Sequence, residues 1–129
     1  MTKTNGVHHI MLTVSDIAKS KEFYTRGCSM KILMEEDKML GLTDGKFSLW
    51  LSAPRDYVPE VLKFDRNQLG LDHFSFKVAK MEDLKQIEKN LKSIGAEMED
   101  GGITDTDPSG KAIFAKDPDG MKVEFRLEK

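Results

Sequence analysis

The sequence predicts an α+β fold in which two βαβββ modules pair around a curved, mixed-sheet cleft. The first observation is a repeat, because the order strand, helix and three further strands occurs over residues 7–52 and again over residues 71–128. The second is length, since 129 residues suit one domain and are too few for two independent domains of ordinary size. The third is the stretch 53–70, whose two prolines predict a linker. One module alone would leave a face of its sheet bare, so two must pair to enclose anything.

The first module opens with an alternating strand in which one face is apolar. The packed residues are Ile10, Leu12 and Val14, and the residues on the opposite face are His9, Met11 and Thr13. Ser15 or Asp16 can cap the helix that follows, which ends near Gly27. Three further strands are predicted around residues 30–34, 40–42 and 47–51, with a tight turn at 44–45 before the last.

The second module repeats this pattern. Its first strand packs Phe74, Phe76 and Val78 and turns His73, Ser75 and Lys77 the other way. Apolar residues spaced by three and four then predict a helix from residue 81 to 94, which Gly95 ends. A short strand at 96–98, a loop at 101–110 and two strands around the turn at 117–120 complete the module.

Composition and charge exclude several functions. The net charge is −2 and basic residues are scattered among acidic ones, so nucleic acid is not an expected partner. No apolar run approaches the roughly 18 residues of a membrane span, and residues 1–6 are polar, so we expect neither membrane insertion nor secretion. A lone cysteine, Cys28, excludes an internal disulfide and favours a reducing cytoplasm.

Three residues on the unpacked faces can bind a metal. His9 and His73 occupy equivalent places in the two repeats, each five residues before the valine that ends its strand. Glu124 lies on the last strand, which can run beside the strand of His73. Two imidazoles and one carboxylate are ligands for divalent first-row metals, so Fe(II), Mn(II), Zn(II) or Ni(II) is the expected cofactor. His8 has the opposite orientation by alternation and is not expected to be a ligand.

Other residues of the same faces are candidates for substrate binding. If the alternate residues of 47–51 pack on the helix, Trp50 enters the cleft as an aromatic wall, near Met11. Lys77 and Arg126 lie on the inferred cleft face and would suit an anionic ligand, although solvated basic residues at strand ends are an equally good interpretation.

The sequence resembles the vicinal oxygen chelate superfamily, which includes glyoxalase I, fosfomycin-resistance enzymes, extradiol dioxygenases and bleomycin-resistance proteins. The segments that carry the resemblance are HIMLTVSDI at 9–17, LDHFSF at 71–76 and DPDGMKVEF at 117–125. The resemblance implies a glyoxalase/bleomycin-resistance/dioxygenase-like fold and a homodimer. It also implies that the family's metal positions correspond to His9, His73 and Glu124.

Departures from the family patterns bear on the reaction. Glyoxalase I types place a fourth, acidic ligand on the last strand of the first module, where residues 47–51 carry no acid. Fosfomycin-resistance thiol transferases have a tyrosine and a lysine where this chain has Phe114 and Thr104. In extradiol dioxygenases an extra acid–base histidine lies near the metal, and His8 is poorly placed for that role.

The leading hypothesis is a metal-dependent lyase, isomerase, thiol transferase or dioxygenase that stabilises an oxyanion or enolate of a small, oxygen-bearing substrate. The sequence offers no general base. The first alternative is a metal-free, bleomycin-resistance-type protein that binds a small molecule against Trp50, and the second is a purely structural dimerisation module.

Overall fold

A computed structural model describes residues 2–106 and 110–129. The first module contains β1 (His9–Thr13), α1 (Ile17–Glu22), a π-helical turn (Phe23–Gly27), β2 (Lys31–Glu36), β3 (Met39–Thr43) and β4 (Ser48–Ser52). The second contains β5 (His73–Val78), α2 (Met81–Ser93), β6 (Glu97–Met98), a 3₁₀ turn (Glu99–Gly101), β7 (Thr104–Asp105), β8 (Lys111–Lys116) and β9 (Lys122–Leu127). The predicted loop at 101–110 includes β7, and its residues 107–109 lie outside the described part.

Each module forms its own mixed sheet. The first sheet has the order β1-β4-β3-β2, and β1 runs parallel to β4 while the other pairs are antiparallel. The second has the order β5-β9-β8-β6, with β5 parallel to β9 and β7 added on β8. The predicted fold class, an α+β chain of two mixed sheets with few helices, is therefore confirmed.

Each sheet has one packed face and one face that carries the polar residues. Alternate residues such as Leu49 and Leu51 in β4, and Val123 and Phe125 in β9, are almost completely buried in one hydrophobic core. We call the opposite faces the open faces. The open face of the first sheet carries His9, Met11, Thr13, Ser48 and Trp50, and that of the second carries His73, Ser75, Lys77, Glu124 and Arg126.

The two modules of the chain meet through their helices and packed faces. Gly27 comes so close to α2 that an added Cβ would lie 2.9 Å from Leu91 Cδ2. The Tyr24 hydroxyl, fully buried, donates a hydrogen bond of 2.8 Å to Asp117 Oδ2 in the turn before β9. Ser15 N and Oγ both donate to the carboxylate of Asp119 in the same turn. These contacts join the sides that the helices cover, so they do not bring the two open faces against each other.

None of the described helices combines the length and apolar character that crossing a bilayer requires.

Candidate metal centre

Two of the three predicted ligands lie together on the open face of the second sheet. His73 begins β5, Glu124 lies in the middle of β9, and the two strands are parallel neighbours. The distance from His73 Nε2 to Glu124 Oε2 is 3.5 Å, which is longer than an ordinary N–H···O hydrogen bond. One nitrogen and one oxygen donor therefore point toward a common region.

Asp72 fixes the orientation of the His73 ring. Nδ1 of His73 donates to Asp72 Oδ1 at 2.8 Å, and this hydrogen bond is the main cause that lowers the pKa of the Asp72 carboxyl. With the proton on Nδ1, the lone pair of His73 is on Nε2, the atom that faces Glu124. A carboxylate on the far nitrogen of a histidine is the usual support of a metal-binding imidazole.

The carboxylate of Glu124 is held in a similar way. Its Oε1 accepts a hydrogen bond from Arg126 Nε at 2.8 Å and forms an ion pair with Arg126 Nη2 at 2.7 Å. Arg126 Nη1 in turn donates to Thr106 Oγ1 at 3.0 Å. Only 5% of Glu124 is exposed. The oxygen that faces His73 is Oε2.

The chemistry and spacing of this pair suit a divalent metal. Zinc-type ions bind imidazole nitrogen and carboxylate oxygen at about 2.0–2.2 Å, so two ligands in a tetrahedral site lie about 3.4 Å apart. The observed 3.5 Å is close to that separation. His73 Nε2 and Glu124 Oε2 could therefore hold one ion, with Asp72 and Arg126 supporting them from behind.

His9 does not join this pair within a single chain. It lies exposed on β1, on the open face of the first sheet, and its Nδ1 is 2.9 Å from Nδ1 of the exposed His8. Among residues 2–106 and 110–129, no three His, Cys, Asp or Glu side chains form a group that could hold a metal. The chain therefore brings two of the three predicted ligands together and leaves the third on the other open face.

The predicted substrate residues occupy both open faces. Trp50 is half-buried above Gly41 and donates from Nε1 to Ser48 Oγ at 3.1 Å, and Met11 is its strand partner on β1. Lys77 is exposed on β5 opposite Arg126, and within the described residues it makes no ion pair. The donors Nε and Nη2 of Arg126 are occupied by Glu124, so in the single chain they are not open to a ligand.

Two residues near the pair were not predicted from the sequence. Asp72 could have been found, because it directly precedes a candidate ligand histidine and carboxylates commonly support such rings. Lys122 is the strand partner of His73; its Nζ lies 3.0 Å from Glu99 Oε1 and 5.4 Å from the centre of the Phe114 ring. The available signal for Lys122 was its place two residues before Glu124, on the same face of β9.

Comparison with known proteins finds relatives along nearly the whole chain. A family model described as Glyoxalase/Bleomycin resistance protein/Dioxygenase superfamily matches residues 6–125. The chain is 26% identical over 125 residues to a metallothiol transferase FosB of Shouchella clausii, with 93% of this chain and 78% of that protein covered. It is 30% identical over 130 residues to the uncharacterized protein YwkD of Bacillus subtilis, with coverages of 93% and 94%.

A solved structure agrees with these matches. The glyoxylase/bleomycin resistance protein/dioxygenase domain from Frankia sp. EAN1pec superposes with a TM-score of 0.81 at 29% identity, covering 98% of this chain and 100% of that one. Both the sequence match and the superposition include the strands that carry His9, His73 and Glu124. The chain belongs to the glyoxalase/bleomycin resistance protein/dioxygenase superfamily.

Proposed function

We propose that this protein is a divalent-metal-dependent enzyme that acts on a small, oxygen-bearing, anionic substrate. The ligands are His9, His73 and Glu124, and the metal is Fe(II), Mn(II), Zn(II) or Ni(II). The observation that carries the proposal is the approach of His73 Nε2 to Glu124 Oε2, 3.5 Å apart, while the other donor atom of each group is bound to a supporting side chain. The single cysteine of the chain suits a reducing cytoplasm.

The third ligand comes from a second copy of the chain in this proposal. Within one chain the modules join by their helix-covered sides, so His9 remains on a different open face from His73 and Glu124. A homodimer that packs the first sheet of one copy against the second sheet of the other would supply the missing imidazole. Met11 and its strand partner Trp50 support this arrangement, because they place adjoining apolar surface, with Met11 40% exposed, on the face that the partner would cover.

The reaction proposed is the stabilisation of an oxyanion or enolate. A bound divalent ion supplies the Lewis acidity for this chemistry. Lys77 is an exposed cation on the open face of the second sheet and could bind an anionic group of the substrate, and Trp50 offers an aromatic surface on the first sheet. The relative named metallothiol transferase supports thiol transfer as the first reaction to assay.

Metal content tests the ligand set. Protein purified without a histidine tag is expected to bind metal stoichiometrically, as measured by inductively coupled plasma mass spectrometry after anaerobic reconstitution. His9→Ala, His73→Ala and Glu124→Ala should each abolish stoichiometric binding, whereas Ser75→Ala, a neighbour on the same open face, should retain it. Binding that survives both His73→Ala and Glu124→Ala would contradict the proposal. The loaded protein is then assayed with thiol-acceptor, keto-acid and catechol substrates.

Mixing two inactive variants tests the shared site. A heterodimer of His9→Ala and His73→Ala chains contains one site with both histidines intact and one with neither. Co-refolding the two variants should therefore restore metal binding to about half of the sites in the heterodimer, and refolding either variant alone should not. No restoration in verified heterodimers would show that the ligands come from one chain.

A second candidate function is a metal-free, bleomycin-resistance-type binding protein. The observation that favours it is the half-buried indole of Trp50 next to Met11 and above Gly41, which forms an apolar surface on an open face. In that case the purified protein should bind no metal, and aromatic ligands should quench the fluorescence of Trp50, the only tryptophan of the chain.

A further inference from the structure

Arg126 is bound to a proposed metal ligand, Glu124. Its Nε donates a hydrogen bond to Glu124 Oε1 at 2.8 Å, and its Nη2 forms an ion pair with the same oxygen at 2.7 Å. The third, Nη1, donates to Thr106 Oγ1 at 3.0 Å. All three nitrogens thus have partners, and two of them contact the same carboxylate oxygen.

The burial of Glu124 makes its ion pair with Arg126 electrostatically important. Only 6% of the Glu124 side chain is exposed, compared with 41% of the Arg126 side chain. A buried carboxylate without a counter-charge is costly, so Arg126 provides the positive charge that Glu124 requires when no metal is bound. A divalent ion next to Oε2 would also neutralise the carboxylate, so the negative charge of Glu124 would then be compensated twice. The guanidinium and the ion would also repel each other across the carboxylate.

We infer that Arg126 acts as an internal counter-ion that limits Glu124 to one metal-binding oxygen, Oε2, and lowers the affinity of the protein for its metal. This inference rests on the proposed metal function. Its consequence is a centre in which Glu124 occupies a single coordination position, so that more positions stay open to water or substrate. Arg126 is therefore a positioning residue that acts through Glu124.

A merely structural role for Arg126 predicts the opposite result. If the guanidinium only held Glu124 in place, its removal would misplace the ligand and weaken metal binding. If it acts as a counter-ion, its removal leaves a buried charge that only the metal can neutralise, and binding becomes tighter. The direction of the change in metal affinity thus separates the two roles.

The central experiment compares Arg126→Met with the wild-type protein. Metal dissociation constants are measured by competition with a fluorescent chelator, using Mn(II) and Zn(II). From the Coulomb repulsion between a single and a double positive charge about 6 Å apart at the dielectric constant of water, about 80, we expect Arg126→Met to tighten binding by about tenfold or more. The melting temperature of the metal-free variant should fall below that of the wild type, and the increase in melting temperature on adding metal should be larger.

Three further variants serve as controls. Arg26→Met removes the same side chain from an exposed pair with Glu22 in the first module and should leave the metal affinity unchanged. Arg126→Lys retains the charge and should bind metal nearly as the wild type does. Arg126→Gln is neutral but can still donate to Glu124, and it gives the same test of direction if Arg126→Met does not fold.

A second measurement tests whether Arg126 limits Glu124 to one metal-binding oxygen. The water-proton relaxation enhancement of the Mn(II)-loaded protein reports rapidly exchanging water on the ion. It should be smaller for Arg126→Met, because Glu124 could then bind through both oxygens and displace a water.

The possible failures are distinguishable. If the wild type binds metal and Arg126→Met and Arg126→Gln bind it equally or more weakly, this inference is wrong and the proposed function stands. If neither the wild type nor any variant binds metal, the proposed function is wrong and the inference falls with it.

Discussion

The indole ring of Trp50 lies directly over the backbone of Gly41 on the neighbouring strand. The two residues are register partners in the β3–β4 pair. A Cβ added to Gly41 would lie 2.6 Å from Cζ3 and 2.8 Å from Cη2 of the indole. Since real Cβ contacts are not that short, the orientation of this aromatic surface requires glycine at position 41.

Gly41→Ala should therefore displace the indole. We expect the shift of the ring to cost about 1–3 kcal/mol of unfolding free energy. The emission of Trp50 should move to longer wavelength, and because it is the only tryptophan, the signal reports this site alone. In a Trp50→Leu background the same Gly41→Ala change should cost clearly less, as measured by urea denaturation. An equal cost in both backgrounds would place the strain elsewhere.

Alternation along β5 and β9 was sufficient to predict that His73 and Glu124 share a face. It could not predict that Asp72 and Arg126 bind the remaining donor atoms of the pair. Those contacts depend on side-chain rotamers and on the path of the loop before β5, and no periodic pattern in the sequence reports either of them. The anionic-ligand role considered for Arg126 rested on its face alone, and the face does not reveal the partner.

At the scale of elements, the start of α1 shows how a short helix is defined by its cap. Asp16 has an extended backbone conformation, and its side chain accepts a hydrogen bond from Lys19 N at 3.1 Å. The six residues of α1 are too few for a helix that is stable by itself. The cap and the packing of Phe23 and Tyr24 behind it must therefore stabilise it together.

Asp16→Ala should cost about 1 kcal/mol of unfolding free energy, because the amide of Lys19 loses its acceptor. Asp16→Asn retains an oxygen in the same place and should cost only a small part of that. Urea denaturation followed by circular dichroism measures both. Equal losses in the two variants would mean that the charge of Asp16, and not its hydrogen bond, is what matters.

The continuation of α1 as a π-helical turn was not predicted. Cys28 N donates to Phe23 O, five residues back, at 3.0 Å. The wider turn lets the adjacent residues Phe23 and Tyr24 both be buried, at 3% and 0% exposure. Apolar spacing indicates only that a helical segment buries these residues. The short strand predicted at 96–98 is present as β6, whereas β7 was missed within the predicted loop at 101–110, since two residues are too few to show alternation.

At the scale of the whole molecule, the turn at 117–120 joins the two modules. One carboxylate oxygen of Asp117 accepts from the amides of Asp119 and Met121 within the turn, and the other accepts from the buried hydroxyl of Tyr24 in the first module. Burial raises the pKa of Asp117, despite hydrogen bonds that oppose the shift. Burial and the neighbouring Asp117 also raise the pKa of Tyr24.

The raised pKa of Asp117 predicts the direction in which the stability of the protein changes with pH. In the folded protein Asp117 holds its proton to higher pH than in the unfolded chain, so its ionisation lowers stability as pH rises from about 3.8 through the folded-state pKa. The unfolding free energy of the wild type minus that of Asp117→Asn should therefore decrease over this interval and then level off. Urea denaturation at a series of pH values measures it.

Asp65 provides a control of opposite sign. A backbone hydrogen bond from Asn67 is the main cause that lowers the pKa of this exposed residue. The contribution of Asp65 to stability is lost as pH falls through its folded-state pKa. The unfolding free energy of the wild type minus that of Asp65→Asn should therefore increase with pH below about 3.8. A difference for Asp117→Asn that also increased with pH would contradict the burial argument.

The duplication in the sequence predicted two similar sheets, each with a packed and an open face. It did not predict which sides of the modules would meet within a chain. That choice depends on specific contacts such as Tyr24 with Asp117, Ser15 with Asp119, and Gly27 with Leu91, which join residues far apart in sequence. Neither composition nor periodicity carries information about such pairs.

In the proposed centre, His9 lies on one open face of the chain, and His73 and Glu124 lie on the other. The concentration of the protein would therefore determine how many centres are complete. If two chains must associate before an ion is fully ligated, dilution would release the ion much as a chelator does, and added ion would in turn drive association. In a cell that makes few copies of the protein, most chains would then be single and their metal sites incomplete. Rising expression would increase the number of complete centres faster than the number of chains.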